Sequence, residues 1–357
     1  MLDSTFIAPM RRLAHDLPPV VPAAVAVFIA TFGVAAAIRW NLPGMDWGID
    51  TRRMLEAGAR LRAGASPYAD PSYYYSPLAA LLAAPLSVLP GGWVAAAWAG
   101  AKVAIVAGAA WTLTSRASMP ARTMAVLASL TFLPVIEDVW QGNVSTLIAA
   151  GMAWVVWGRR SPGSGILLGL VLATGPKPIA LPFVVWMLAW RREALIGTIA
   201  SGAFTTSIAL VLTGPDMFVD FVHALLDGPS RMVTYAGNLV PAAVAPQLAV
   251  PAGILAMGCF AWVLLRRGEV AGLIWAVTSG VFITAVAGVY SMVPLLVAGA
   301  AAFPLAPRRT LAFGPAVQVL LGPLFSIVCT AILAVSLTLD RRAVPEAIVG
   351  AAGPDRP

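Results

Sequence analysis

Asp50 stands at the head of a short polar stretch in an otherwise apolar chain, Trp47-Gly48-Ile49-Asp50-Thr51-Arg52-Arg53. A carboxylate there can accept the proton of an attacking hydroxyl, the work of a general base. Its competing role is to cap a helix running from Thr51 through Leu61, because an aspartate ahead of a helical run satisfies free backbone amides. The two roles are compatible. Arg52, Arg53, Arg60 and Arg62 follow, and a helix puts Arg53 and Arg60 near one face with Arg52 off it. Guanidinium groups of this kind bind phosphate or snorkel to lipid headgroups, and Arg53 is the candidate for phosphate.

Lys177 is one of only two lysines in the chain and sits between Pro176 and Pro178. Its ammonium can meet an anionic leaving group or anchor the chain at an interface. The other lysine, Lys102, falls inside an apolar run and should face a cavity or a carboxylate. Glu137-Asp138-Val139-Trp140-Gln141-Gly142-Asn143 reads as a turn whose two carboxylates and two amides could ligate a divalent ion or hydrogen-bond a sugar. Spacing alone favours neither. Trp140, Tyr73, Tyr74, Tyr75 and Tyr235 could stack on a pyranose ring or form an interfacial aromatic belt. His223 stands alone and reads as structural. Cys259 and Cys329 lie far apart within apolar runs without metal-ligand spacing, so both read as packing residues and no metal site is expected.

The elements that must position these groups are membrane helices. Of the 357 residues, 59% are hydrophobic and only 11% charged, which a soluble core with a polar shell cannot accommodate. Apolar runs of the length a bilayer demands recur along the chain, so the expected fold is all-α, a polytopic transmembrane bundle forming one integral membrane domain over residues 1–357. The runs give about eleven spans, with ten or twelve possible: 20–38, 93–114, 123–136, 144–157, 163–173, 179–190, 194–213, 248–265, 270–289, 292–305 and 311–339. Arg11-Arg12, Arg116 with Arg122, Arg159-Arg160, Arg191-Arg192, Arg266-Arg267 and Arg308-Arg309 fall at every second break. Positive-inside bias then makes the amino terminus cytoplasmic. The net charge of +7 is scattered over these breaks rather than gathered on one surface, so nucleic acid is not an expected partner.

Two outer segments remain. Residues 40–92 are too polar at their start to cross and too apolar at their end to float free, so interfacial helices along the membrane surface are expected there. Residues 214–246 carry Asp216, Asp220, His223, Asp227 and Arg231. The candidate base Asp50 belongs to the first.

In order, these segments resemble glycosyltransferase family 87, polytopic enzymes of the GT-C type that include polyprenyl-phosphate-mannose-dependent mannosyltransferases of actinobacterial envelopes and related arabinofuranosyltransferases. The resemblance rests on an aspartate after the first span followed fourteen positions later by Gly-x-x-x-Tyr (Asp50, Gly64, Tyr68), on Tyr-x-Pro (Tyr75, Ser76, Pro77), on Gln-Gly-Asn (Gln141, Gly142, Asn143) and on Lys-Pro (Lys177, Pro178). A weaker element is Gly237-Asn238-Leu239. Tyr290-Ser291 occupies a region where the family pattern leads one to expect histidine, and Arg52, Arg53 and Met54 stand where an aromatic residue is common.

The resemblance implies that Asp50 is the catalytic base and that Lys177, Arg53, Tyr75, Gln141, Asn143, Asn238 and Tyr290 contact substrate. It implies a sugar donor carried on a polyprenyl phosphate, a glycolipid or glycan acceptor, inversion at the anomeric carbon, no cofactor, and action at the outer face of the plasma membrane among membrane lipids. Mannose and arabinofuranose remain alternatives for the donor sugar. A lipid-sugar flippase would also carry many spans and interrupted helices, but transporters commonly show internal repeats, and the polar residues here collect at the outer ends of spans instead.

Overall fold

The computed structural model describes residues 46–115, 118–232, 246–283 and 289–302. The predicted spans 20–38 and 311–339, together with Tyr235, Asn238 and Cys329, lie outside the described residues. Every regular element among the described residues is helical. Among the described residues two helices are long and apolar enough to cross a bilayer, Gly91–Leu113 and Arg192–Thr213, and shorter apolar stretches such as Val250–Arg266 and Glu269–Ile283 follow the same pattern. Exposed Ile196, Ile199, Phe204, Val211 and Leu212 run the length of the second. An apolar surface of that extent suits contact with lipid, since water would drive it into an interface.

The described part of the 40–92 segment folds into α1 (Ile49–Arg62) and α2 (Pro77–Ala83), with 3-10 turns at Pro67–Ala69 and Leu86–Val88. Gly58 of α1 lies so close to the Ala83 backbone that no Cβ fits between the two helices. α1 ends in a Schellman motif: Gly64 takes φ 75, its N–H donates to the Leu61 carbonyl and the Ala65 N–H donates to that of Arg60.

The long helix α3 (Gly91–Leu113) buries Ala95, Ala99, Lys102, Val106 and Ala110, a stripe of mostly small residues that lets its neighbours approach. The predicted span 123–136 is instead two elements, α4 (Met119–Leu130) and α5 (Leu133–Gln141). Pro134 accounts for the break, because it has no N–H to continue a helix and fits the first turn of a new one. Then come α6 (Ser145–Trp157), α7 (Ile166–Thr174), α8 (Leu181–Trp190), α9 (Arg192–Thr213) and α10 (Pro215–Met232). The described part of the 214–246 segment is thus mostly the helix α10. α11 (Pro246–Arg266) and α12 (Glu269–Ile283) follow, then α13 (Leu295–Ala302), which begins three residues later than the predicted span because a 3-10 turn, Val289–Met292, and Pro294 precede it.

Helices α6, α7 and α8 run back and forth between two ends of the bundle. One end holds Asn143, Thr174 and Lys177; the other holds Arg159-Arg160 and Arg191-Arg192. At that second end Arg191 pairs with buried Glu269 at 2.8 Å, and Arg160 reaches the same carboxylate at 3.5 Å.

Candidate active site

Asp50 lies inside the first turn of α1 rather than at its cap. The helix starts at Gly48, whose φ of 66 and whose N–H bond to the Trp140 carbonyl, 2.8 Å, fix where the chain turns in. The capping role expected for Asp50 is therefore not the one it fills. Its side chain is 9% exposed. One carboxylate oxygen accepts from Asn143 Nδ2 at 2.6 Å and the other from Arg53 at 3.4 Å, one turn along the helix. An ionised carboxylate has about four acceptor sites, so these two bonds leave room for a third donor.

Asn143 is the hub of the site. Its Oδ1 accepts from the Val144 N–H (2.7 Å), Lys177 Nζ (2.6 Å) and Ser145 Oγ (3.3 Å), while Nδ2 donates to Asp50 and to the Tyr75 hydroxyl (2.9 Å). Because the Val144 amide can only donate, the oxygen of the side-chain amide must face it, and the nitrogen is left for the carboxylate. One buried amide thus joins a carboxylate on one side to a cation on the other.

The turn that carries Asn143 is built on Gly142. Its φ of 82 closes the C-terminal end of α5, and a Cβ there would collide with the Thr51 side chain. Its carbonyl accepts from Trp98 Nε1 at 2.9 Å and Thr51 Oγ1 at 3.5 Å. Close approach to α1 brings Asn143 within reach of Asp50, which explains glycine followed by asparagine.

Tyr75 and Lys177 arrive together. The Ser76 N–H donates to the Thr174 carbonyl at 3.0 Å and Ser76 Oγ to that of Ala173, so the Tyr-Ser-Pro segment satisfies carbonyls left over at the end of α7. Lys177 follows three residues later. Its ammonium donates to Asn143 and to Ser145 Oγ (2.9 Å) and lies 4.8 Å from the centre of the Tyr290 ring, a cation–π distance. Desolvation by burial lowers the amine from its ordinary 10.5 to about 8; the carboxylates of Asp138 and Asp50 pull the other way, and Lys102 adds to the lowering. Burial, then the Asp50 charge, raise the Tyr75 phenol well above its ordinary value, so it stays neutral. Tyr75 is held from behind by the Tyr68 hydroxyl, which donates to its carbonyl at 2.8 Å.

Asp50, Arg53, Tyr75, Asn143, Lys177 and Tyr290 therefore meet in one place. Gln141 stands off it, its side chain bonded to Glu137 at 3.4 Å. Asn238 lies outside the described residues. The predicted turn is largely helix: residues 137–141 are helical, and Asp138, fully buried, spends its carboxylate on Lys102 and on the Ser145 and Thr146 amides at the start of α6. Lys102 faces a carboxylate as expected. Tyr73 and Trp140 are too buried to stack on a sugar; Tyr73 donates to the Ser76 carbonyl and Trp140 packs edge-on against Trp47 at 5.1 Å. His223 is exposed and lines a separate cavity of about 450 Å³ between the 66–71 segment and α10, tied across by the bond from Ser66 to Asp220 at 2.9 Å. Ser145, which shares Lys177 with Asn143, had no sequence signal beyond its place two residues after that asparagine.

A model of glycosyltransferase family 87 matches residues 73–254, just over half of the chain. The chain belongs to glycosyltransferase family 87. No curated protein and no solved structure matches it. The matched region of this family 87 glycosyltransferase contains Tyr75, Asn143 and Lys177, while Asp50 and Arg53 precede it and Tyr290 follows. Membership in the family and the apolar helices together make it a membrane glycosyltransferase, acting between a sugar donor and an acceptor.

Proposed function

We propose that this glycosyltransferase moves mannose from a polyprenyl-phosphate donor to a glycolipid or glycan acceptor at the outer face of the plasma membrane, with inversion. The observation that carries the reading is the single amide of Asn143, bonded to Asp50 at 2.6 Å and to Lys177 at 2.6 Å. It holds a proton acceptor and a cation apart without letting them neutralise each other. In the reaction Asp50 takes the proton of the acceptor hydroxyl as its oxygen bonds to the anomeric carbon. The bond from that carbon to the phosphate oxygen breaks, its electron pair leaves with the polyprenyl phosphate, and Lys177 with Arg53 stabilises the added negative charge. Resemblance to polyprenyl-phosphate-mannose-dependent enzymes supports the sugar and its carrier. The outer face is supported by the site's position at the end of α6, α7 and α8 opposite their arginine-bearing connections.

The test is transfer by purified protein supplied with synthetic polyprenyl-phosphate-mannose or its arabinofuranosyl counterpart and a set of glycolipid acceptors. We expect mannose to move and Asp50→Asn to lower kcat by roughly 10²–10⁴-fold while the thermal unfolding midpoint stays put. Undiminished transfer by the variant removes Asp50 from the role of base, and transfer only from the arabinofuranosyl donor overturns the choice of sugar.

A further inference from the structure

Lys102 and Asp138 form an ion pair, 3.2 Å apart, with neither side chain exposed. Taking two charges out of water costs more than their attraction readily returns, and apolar residues of the same volume would hold α3 to α5 as well or better. The pair's other bonds converge on one turn. Lys102 Nζ donates to the Asp138 carbonyl and, at 3.2 Å, to the Asn143 carbonyl. Asp138 accepts from the Ser145 amide at 3.1 Å, from the Thr146 amide at 3.3 Å and from the Thr146 hydroxyl at 2.6 Å. The backbone is thus gripped at the 143 carbonyl and again at the 145 and 146 amides, all just after the α-carbon from which the Asn143 side chain departs, while Trp98 and Thr51 hold the Gly142 carbonyl just before it.

We infer that Lys102 and Asp138 are positioning residues for sugar transfer: together they clamp the 142–146 turn so that the Asn143 amide keeps its nitrogen on Asp50 and its oxygen on Lys177. This rests on the proposed function for its kinetic consequence, though the clamp itself is a matter of geometry. A displaced Asn143 would let both the base and the cation wander, and errors of about an ångström in such placement cost on the order of 10²-fold in rate.

Three variants test it: Asp138→Asn, Lys102→Met and the double substitution, which removes both charges at little change in volume. The readouts are kcat and donor KM, thermal unfolding, and the pH dependence with which an amine-directed acetylating reagent labels Lys177, followed by mass spectrometry. The groups facing Lys177 are Asn143, Ser145 and the Tyr290 ring in contact, with Asp50, Asp138 and Lys102 acting through charge. Each single variant should lose about 10²-fold in kcat with donor KM little changed. The labelling midpoint, expected near 8 in the native protein, should fall in Asp138→Asn and rise in Lys102→Met. The double variant should recover native thermal stability and remain slow.

A double variant with native kcat overturns the clamp, as does a labelling midpoint in Asp138→Asn that is unmoved or raised, the result of a site that has merely loosened into water. Labelling is read without any sugar transfer. Should Asp50→Asn prove active, Asp50 loses the role of base while the clamp can still stand or fall on the kcat of the double variant and on the Lys177 midpoints.

Discussion

Lys177 owes its usefulness to two opposing influences, a shell of protein that strips its water and two carboxylates that restore part of the loss. With the amine at about 8, the ammonium is present below that pH and absent above it. If it stabilises the departing phosphate, kcat/KM should decline as pH rises through about 8, and Lys177→Arg, which keeps its proton throughout, should work at a reduced rate without that alkaline limb. A pH–rate profile of both proteins checks this. The folded protein gives up this proton before the unfolded chain does, so between about 8 and 10.5 this lysine does not lower stability as pH rises. A falling rate there is loss of charge rather than of structure. A limb that persists in Lys177→Arg assigns the titration to another group. At this scale the sequence was informative about identity and silent about connection. Asp50, Asn143 and Lys177 stand out by type and neighbours, but nothing in one dimension says that a single amide touches both of the others, because residues 50, 143 and 177 are joined only by folding.

The elements that bring them together, α1 and α5, each end on a glycine with positive φ, and the surroundings of the two differ. Gly64 closes α1 with open space where a Cβ would point, whereas Gly142 closes α5 against Thr51. Gly64→Ala should cost only the left-handed backbone penalty, roughly 1 kcal/mol, and leave the rate near native. Gly142→Ala carries that penalty and a steric collision at the site, so it should lower the unfolding midpoint further and depress kcat as well; thermal unfolding and transfer assays on the two proteins, side by side, check the contrast. Equal effects would mean that the approach of α5 to α1 is not what holds the site. Apolar periodicity located α3, α6, α8 and α9 to within a few residues. It ran α4 and α5 together because hydropathy ignores the missing N–H of Pro134. The cluster of polar residues at 137–143 reads as a turn, because buried carboxylates look like solvent-seeking ones until their partners, Lys102 and the first amides of α6, are known.

For the molecule as a whole, the arginine-bearing connections and the site occupy opposite ends of the same helices. In a background with Cys259 and Cys329 replaced by alanine, Pro176→Cys, at an exposed position beside Lys177, should react with a membrane-impermeant maleimide on intact cells. Arg160→Cys, whose parent side chain is 60% exposed, should react only after the membrane is opened. The reverse pattern puts the site in the cytosol and removes the polyprenyl-phosphate donor's outer-leaflet setting.

The junction between Ser76 and the end of α7 has one more consequence. Residues 64–77 reach the reaction centre by finishing off a helix that starts almost a hundred positions later, so loop and helix end are two halves of a single joint. An engineer transplanting the Tyr-Ser-Pro stretch from another enzyme to alter acceptor choice would have to carry residues 171–178 along with it. Otherwise the imported serine would meet a mismatched helix end, and the tyrosine above it would lose its bearing on the asparagine.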